Sequence, residues 1–346
     1  MEPTTIPPFE PHPLLRGGHV QTIAGIVLPG KLPSYCAAMH TVHLEDGDAI
    51  VLHDDCPSDW RRTGPAVLIV HGLAGSHLSS YVVRLAAKLN ATGMRTFRMD
   101  LRNCGAGQGL ARLPYHAGRS DDLRAALEHM AALCPDAPLA AVGYSLGGNL
   151  VLKLLGEAPD ALPRRLIGGV AVNPSVELAA CVESLNRPVQ RLYDRYFIRR
   201  MVRHLRATCR QADETGVLET APRGMRDFDD RYTAPVCGFA DAAAYYSASS
   251  AGQFVPNIRV PAHILSSRDD PLIPCEPFER IARPDHVQLH MTESGGHLGF
   301  LGRRGVDPDI RWMDWRIVEW IAGFDRTARD NTPRPVPARV TAGIAV

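Results

Sequence analysis

Apolar positions along the chain follow two alternating rhythms. Ala66-Val67-Leu68-Ile69-Val70 is a short, continuously apolar run, the pattern of a strand covered on both faces in a parallel sheet. After it, Val82, Leu85, Ala86 and Leu89 recur at helical spacing. The alternation continues with a strand over 94–99, an amphipathic helix over 121–133, a strand over 139–142, a helix over 146–155 and a strand over 167–172. Ahead of it, residues 39–54 predict two strands around the turn Glu45-Asp46-Gly47-Asp48. Strands resume at 262–266 and 287–291. Trp315, Val318, Ile321 and Ala322 mark one face of a last helix over 312–324. Such alternation predicts an α/β fold with a mostly parallel central sheet flanked by helices.

Two stretches depart from this rhythm. Residues 1–35, rich in Pro and Gly, predict an extended arm wrapped on the domain rather than a strand or helix. Residues from about 177 to 250 carry helical periodicity without strands and predict a mainly helical insertion. The expected organisation is therefore one domain over 1–325. A Pro-rich tail over 326–346, with Pro333, Pro335 and Pro337, is expected to be disordered.

Composition narrows the function classes. The 346 residues are 45% apolar and 22% charged, ordinary for a globular protein. The formal net charge of +1 gives no support for nucleic-acid binding. A local exception is the run Arg191, Arg195, Arg199, Arg200, Arg203 and Arg206. The eight cysteines are scattered, without a C-x-x-C pair or a zinc-like cluster, and are expected to be free thiols in a reducing cytoplasm. No metal or organic cofactor is expected. The N-terminus lacks the pattern of a signal peptide, and no run approaches the length of a membrane span. Peripheral membrane contact stays open, and so does oligomeric state.

Gly143-Tyr144-Ser145-Leu146-Gly147 is G-x-S-x-G, placed where a strand ends and a helix begins. In that context the motif makes a tight turn that needs small residues two before and two after the serine and exposes its hydroxyl. The following helix N-terminus aims N–H groups at the reacting centre. A serine hydroxyl needs a base, and the base needs an orienting carboxylate. Strand 262–266 runs into Ser267-Arg268-Asp269-Asp270-Pro271-Leu272-Ile273-Pro274. Asp269 and Asp270 compete as the acid. Asp270 is preferred because it directly precedes the Pro-flanked apolar turn. Strand 287–291 leads into Gly295-Gly296-His297-Leu298-Gly299. Of 14 histidines, His297 alone combines a loop after a strand, flanking glycines and the chain order Ser, Asp, His. His263, His286 and His290 belong to or flank strands, and packing or surface placement accounts for them. The loop His71-Gly72-Leu73-Ala74-Gly75-Ser76 follows strand 66–70. It predicts an oxyanion hole made by the backbone N–H groups of Leu73 and Leu146, with the His71 side chain structural.

These pieces resemble the YheT-like branch of the α/β-hydrolases. The likeness rests on Pro11-His12-Pro13-Leu14, Gly18-His19-Val20-Gln21-Thr22, the His71–Ser76 loop with Ser79-Ser80-Tyr81, and Tyr115-His116-Ala117-Gly118. It continues through Gly143-Tyr144-Ser145-Leu146-Gly147-Gly148-Asn149, Phe228-Asp229-Asp230, Thr233-Ala234-Pro235, Gly238-Phe239 and Tyr245-Tyr246. Arg102-Asn103-Cys104-Gly105 follows too, with Asn103 in place of a glycine. The resemblance implies an α/β-hydrolase fold and an esterase-type enzyme with a triad of Ser145, Asp270 and His297. The expected substrate is a small-molecule or lipid ester. The same triad would also serve an amidase, a thioesterase or a carbon–carbon hydrolase, and a catalytically silent binding protein is the reading from another class. Segment 187–206, with Leu192, Tyr193, Tyr196, Phe197, Ile198, Met201, Val202 and Leu205 as an apolar face, has two readings. One is a lid that takes an acyl chain or docks near anionic lipid. The other is an amphipathic helix with a solvated basic face.

Overall fold

The computed structural model describes residues 7–30, 32–33, 36–208 and 220–330. Eight strands are present among the described residues: β1 (Ala38–His43), β2 (Ala49–Asp55), β3 (Ala66–Val70), β4 (Arg95–Asp100), β5 (Leu139–Tyr144), β6 (Leu166–Val172), β7 (Ala262–Ser267) and β8 (Val287–Thr292). They form one sheet in the order β1-β2-β4-β3-β5-β6-β7-β8. β2 runs antiparallel to β1 and β4, and the remaining pairs are parallel.

Every residue of β3 and β5 is buried, as unbroken apolar runs require. Because side chains alternate along a strand, each run feeds two cores. Val67, Ile69 and Val142 pack with Leu85 and Leu89 of α2 (Ser80–Ala91) and Ile317 of α11 (Trp312–Asp330). Leu68, Val70 and Ala141 pack on the other face with Leu123 and Leu127 of α3 (Ser120–Leu133) and Leu150 and Leu154 of α4 (Leu146–Glu157). Full burial of such a side chain contributes about 1.5–3 kcal/mol. The acids of the β1–β2 turn are tied inward. The buried Arg102 guanidinium donates to Asp46 and Asp48 and bidentately to Asp122, so one side chain joins the turn, the loop after β4 and α3.

Between β6 and β7 lie α5 (Leu178–Ser184), α6 (Arg191–Thr208), α7 (Met225–Phe228), a π-helical turn over Asp229–Thr233, α8 (Ala234–Val236) and α9 (Ala242–Ser249). α10 (Glu276–Arg280) separates β7 from β8. Two expectations change. The N-terminal arm is not wholly extended: Gly18–Val27 form a helix, α1. Its apolar Val20, Ile23 and Ile26 face outward and its polar Gln21 and Thr22 inward, which hides it from an amphipathicity reading. In addition, α11 runs through Asp330, past the expected start of the tail. Residues 331–346, with the three tail prolines, and Cys209 lie outside the described residues. No described helix is long and apolar enough to cross a membrane.

His263 on β7 and His290 on β8 share a 2.9 Å hydrogen bond beneath Trp320. Burial pushes His263 down to about 3, helped by the neighbouring His290, and pushes His290 down to about 4. Both rings are therefore neutral in the fold, while the unfolded chain takes up protons below about pH 6.5. Stability from this pair is present above that pH and is lost as pH falls from about 6.5 toward 4, by on the order of 1 kcal/mol per pH unit for each ring. Thermal melts should show a smaller drop in Tm between pH 7.5 and 5 for His290→Leu than for the wild type. An equal drop in both would remove the pair as the cause.

Candidate active site

Ser145 lies where β5 passes into α4, with φ +54° and ψ −118°. A non-glycine residue in this region carries backbone strain and needs its surroundings to hold it. The surroundings are tight. A Cβ on Gly143 would sit 2.1 Å from the Gly147 carbonyl oxygen, and one on Gly147 would sit 2.5 Å from that of His71. Only glycine fits on either side of the serine, so the turn cannot relax.

The three predicted side chains meet. His297 Nε2 lies 3.0 Å from Ser145 Oγ, and His297 Nδ1 lies 2.8 Å from Asp270 Oδ2. The Asp270 side chain is fully buried. Its Oδ2 also accepts from Asn173 Nδ2 at 2.6 Å, and its Oδ1 accepts the N–H groups of Leu272 (2.8 Å) and Ile273 (3.1 Å). Four donors on two oxygens suit a buried carboxylate. Asp269 points elsewhere: its Oδ1 accepts the Gly296 N–H at 2.8 Å and so pins the loop carrying His297.

Leu73 and Leu146 flank the serine. The N–H groups on either side of Leu73 are committed, Gly72 N–H donating to Tyr81 Oη and Ala74 N–H to Tyr115 Oη, each at 3.0 Å. The Ala74 carbonyl accepts from Arg200 of α6 at 2.8 Å. Ala74 itself has φ +57°, and this clamp holds it there. The Leu146 N–H opens a helix and has no intrahelical acceptor. The His71 ring is buried. Its Nε2 accepts the Leu101 N–H at 3.3 Å, so Nδ1 carries the proton given to the Gly72 carbonyl at 2.7 Å. Burial holds it neutral, which fits a structural role.

The sequence assigned no role to three supporting residues, although Gln21 and Thr22 stood in the arm segment that carries the resemblance. Asn173, at φ +43° after β6, orients Asp270. Thr22 on α1 accepts the His297 N–H at 2.8 Å. Gln21 pairs with both the N–H and C=O of Leu301. The His-x-Gln-Thr segment of the arm thus buttresses the histidine loop from about 280 residues away. Asn103 adopts φ +59°, and its side chain ties Gly109 and Ala111, so asparagine serves where a glycine was expected.

A cavity opens beside Ser145. Leu178, Leu185, Phe197, Met201 and Ile273 are among the apolar side chains lining it. Its polar end holds Asp229, whose oxygens accept from Tyr246 Oη and Thr233 Oγ1 at 2.7 Å each. Burial raises the Asp229 carboxyl to about 6 despite those bonds. Of the expected apolar face of α6, Leu192 and Tyr196 point to solvent, while Ile198 and Leu205 are buried. The described residues also hold one cluster of metal-ligand type away from the cavity. His53 Nε2 and His77 Nδ1 both bond Asp100 Oδ2, at 2.9 and 2.7 Å. Burial opposes ionisation of Asp100, but these bonds and the His77 N–H outweigh it and hold the carboxyl well below its usual range. The arrangement is a hydrogen-bonded brace behind the His71–Ser76 loop.

A sheet of this order, with a strained serine elbow at the carboxyl end of β5, defines an α/β hydrolase. Residues 65–303 match the alpha/beta hydrolase fold family, and the chain belongs to it. Within it the chain is YheT-like. It is 30% identical over 290 residues to the Escherichia coli (strain K12) protein named "Putative esterase YheT", covering 82% of this chain and 84% of that one. It is 29% identical to phospholipase ABHD3 of Mus musculus over 75% of this chain and 64% of that protein, so it spans less than two thirds of that relative. Among solved structures, Est1E from Butyrivibrio proteoclasticus with bound ferulic acid aligns over 82% of this chain and 98% of its own, with a TM-score of 0.54 at 15% identity. That likeness concerns the fold.

Proposed function

We propose that the chain is a serine esterase that cleaves carboxylic esters through an acyl-enzyme on Ser145. The observation that carries this is the unbroken path from Ser145 Oγ through His297 to buried Asp270, beside an apolar cavity. His297 Nε2 takes the hydroxyl proton as Oγ attacks the ester carbonyl. Asp270 holds the proton on Nδ1, which keeps Nε2 an acceptor, and stabilises the imidazolium. The carbonyl π electrons move onto oxygen, where the N–H groups of Leu73 and Leu146 receive the charge. Such donors contribute roughly 3–4 kcal/mol each in mutated hydrolases. Collapse of the tetrahedral intermediate expels the alcohol, protonated by His297. Water, deprotonated by the same nitrogen, then frees the acid.

The acyl group occupies the cavity, and the helices between β6 and β7 act as its lid. Short- to medium-chain acyl esters or acylglycerol-like lipids fit its apolar walls. Relatives named as esterase, phospholipase and monoacylglycerol lipase support ester chemistry. A fluorophosphonate probe tests the reading. Wild type and Ser294→Ala should label, and Ser145→Ala should not. An unlabelled wild type, or a labelled Ser145→Ala, would remove it. Turnover across esters of increasing acyl length then reports the depth of the cavity.

A further inference from the structure

α1 is built inside out. Its buried positions include Gln21 and Thr22, while Val20, Ile23, Ile26 and Val27 are 44–63% exposed on the outer side. Single exposed apolar residues are normal, but contiguous ones mark an interaction surface. Here they are concentrated. Of the fifteen large apolar side chains exposed among the described residues, seven fall between residues 14 and 32 and three between 189 and 196. The two groups adjoin in space, because His19 of α1 stacks on Tyr193 of α6 and bonds its hydroxyl at 2.9 Å.

Charge identifies the partner. The outer face of α6 sets Leu192 and Tyr196 among Arg195, Arg199 and Arg203. These three arginines are exposed and make no ion pair among the described residues, although the chain as a whole is nearly neutral. Apolar side chains ringed by exposed arginines suit the acyl boundary of a membrane whose headgroups are anionic. A second copy of the chain suits them poorly, since a two-fold contact would set the same arginines against each other. The inner sides of both helices reach the candidate site: Thr22 holds His297, while Phe197 and Met201 line the cavity.

We propose that the outer faces of α1 and α6 form a docking surface for an anionic lipid bilayer, with the candidate active site directly beneath it. Docking goes beyond the esterase reading and stands without it, because binding is measured without turnover. The test is vesicle flotation of the purified full chain. The vesicles are phosphatidylcholine alone, or phosphatidylcholine with about 30% phosphatidylglycerol. The wild type should float with the mixed vesicles and be released by high salt. Ile23→Asp/Ile26→Asp and Arg195→Glu/Arg199→Glu should each lower partitioning about tenfold or more. Both double variants should keep the wild-type melting profile and hydrolysis of a water-soluble short ester, which separates lost docking from lost folding. Three results would overturn docking: no flotation of the wild type, equal binding to both vesicle types, or unchanged binding in both double variants. A concentration-dependent dimer abolished by Ile23→Asp/Ile26→Asp would reassign the face to self-association.

Discussion

Asp270→Asn should lower kcat on a short p-nitrophenyl ester by about 10³- to 10⁴-fold, by analogy with the equivalent change in serine proteases. KM should change little. Asp269→Asn should stay within about tenfold of wild type. The contrast follows from the donors each acid faces. Asp270 receives four: the Leu272 and Ile273 N–H groups on Oδ1, and Asn173 Nδ2 and His297 Nδ1 on Oδ2. An asparagine has one acceptor oxygen and one donor nitrogen. With its oxygen toward the two backbone N–H groups, its NH₂ meets His297 Nδ1. The ring must then present a lone pair there and carry its proton on Nε2, where it can no longer accept from Ser145. Asp269 asks only for one acceptor facing the Gly296 N–H, which an asparagine oxygen also supplies. Steady-state kinetics on both variants, with melts to check folding, decide the matter. Loss confined to Asp269→Asn would exchange the two roles.

The contrast also marks where local pattern stops. Continuous apolar runs located β3 and β5 because burial on both faces permits nothing else there. G-x-S-x-G located the elbow because two backbone approaches exclude any Cβ. The two adjacent acids are the same residue type, and locally only the Pro271 that follows Asp270 tells them apart. They differ in which way the turn after β7 projects them, and partners at residues 173 and 296 decide that. Asn173 belongs to no motif in the sequence, and its side chain matters only because β6 and β7 are neighbours in the sheet. α1 was hidden by inversion. Its buried Gln21 is satisfied by Leu301 and by the Leu15 carbonyl, and its outward valine and isoleucines show no amphipathic pattern that would point to a helix. The loop departure at Asn103 was visible as a departure. Its harmlessness was not, because that depends on three hydrogen bonds to Gly109 and Ala111.

Gly18→Ala should disable the site from the far end of the chain. A Cβ at residue 18 would lie 1.7 Å from the Asp269 carbonyl oxygen and 2.8 Å from its carbon. Both are backbone atoms, so no rotamer change relieves the overlap. On the other side, the Gly18 carbonyl oxygen already closes against Gly296, where an added Cβ would be 2.3 Å away. The arm can escape only by lifting from the turn that carries Asp269 and Asp270. As it lifts, it draws Thr22 from the His297 N–H. Overpacking of this kind costs about 3 kcal/mol. A misplacement of about 1 Å in a catalytic constellation costs roughly 10²-fold in rate. The expected result is therefore a drop of several degrees in Tm together with a kcat about a hundredfold lower. Gly17→Ala supplies the comparison. Its φ of +88° strains an alanine, but nothing lies within 4 Å of the added carbon. Its ψ of 146° puts it outside the left-handed helical region, so it should lose about 1–3 kcal/mol of stability and keep kcat within about twofold. If Gly18→Ala retained wild-type kcat, the arm would be a passive wrapping and His297 would be held by its own loop. If both variants lost activity equally, backbone strain in the arm would be the cause, in place of the approach of Gly18 to Asp269.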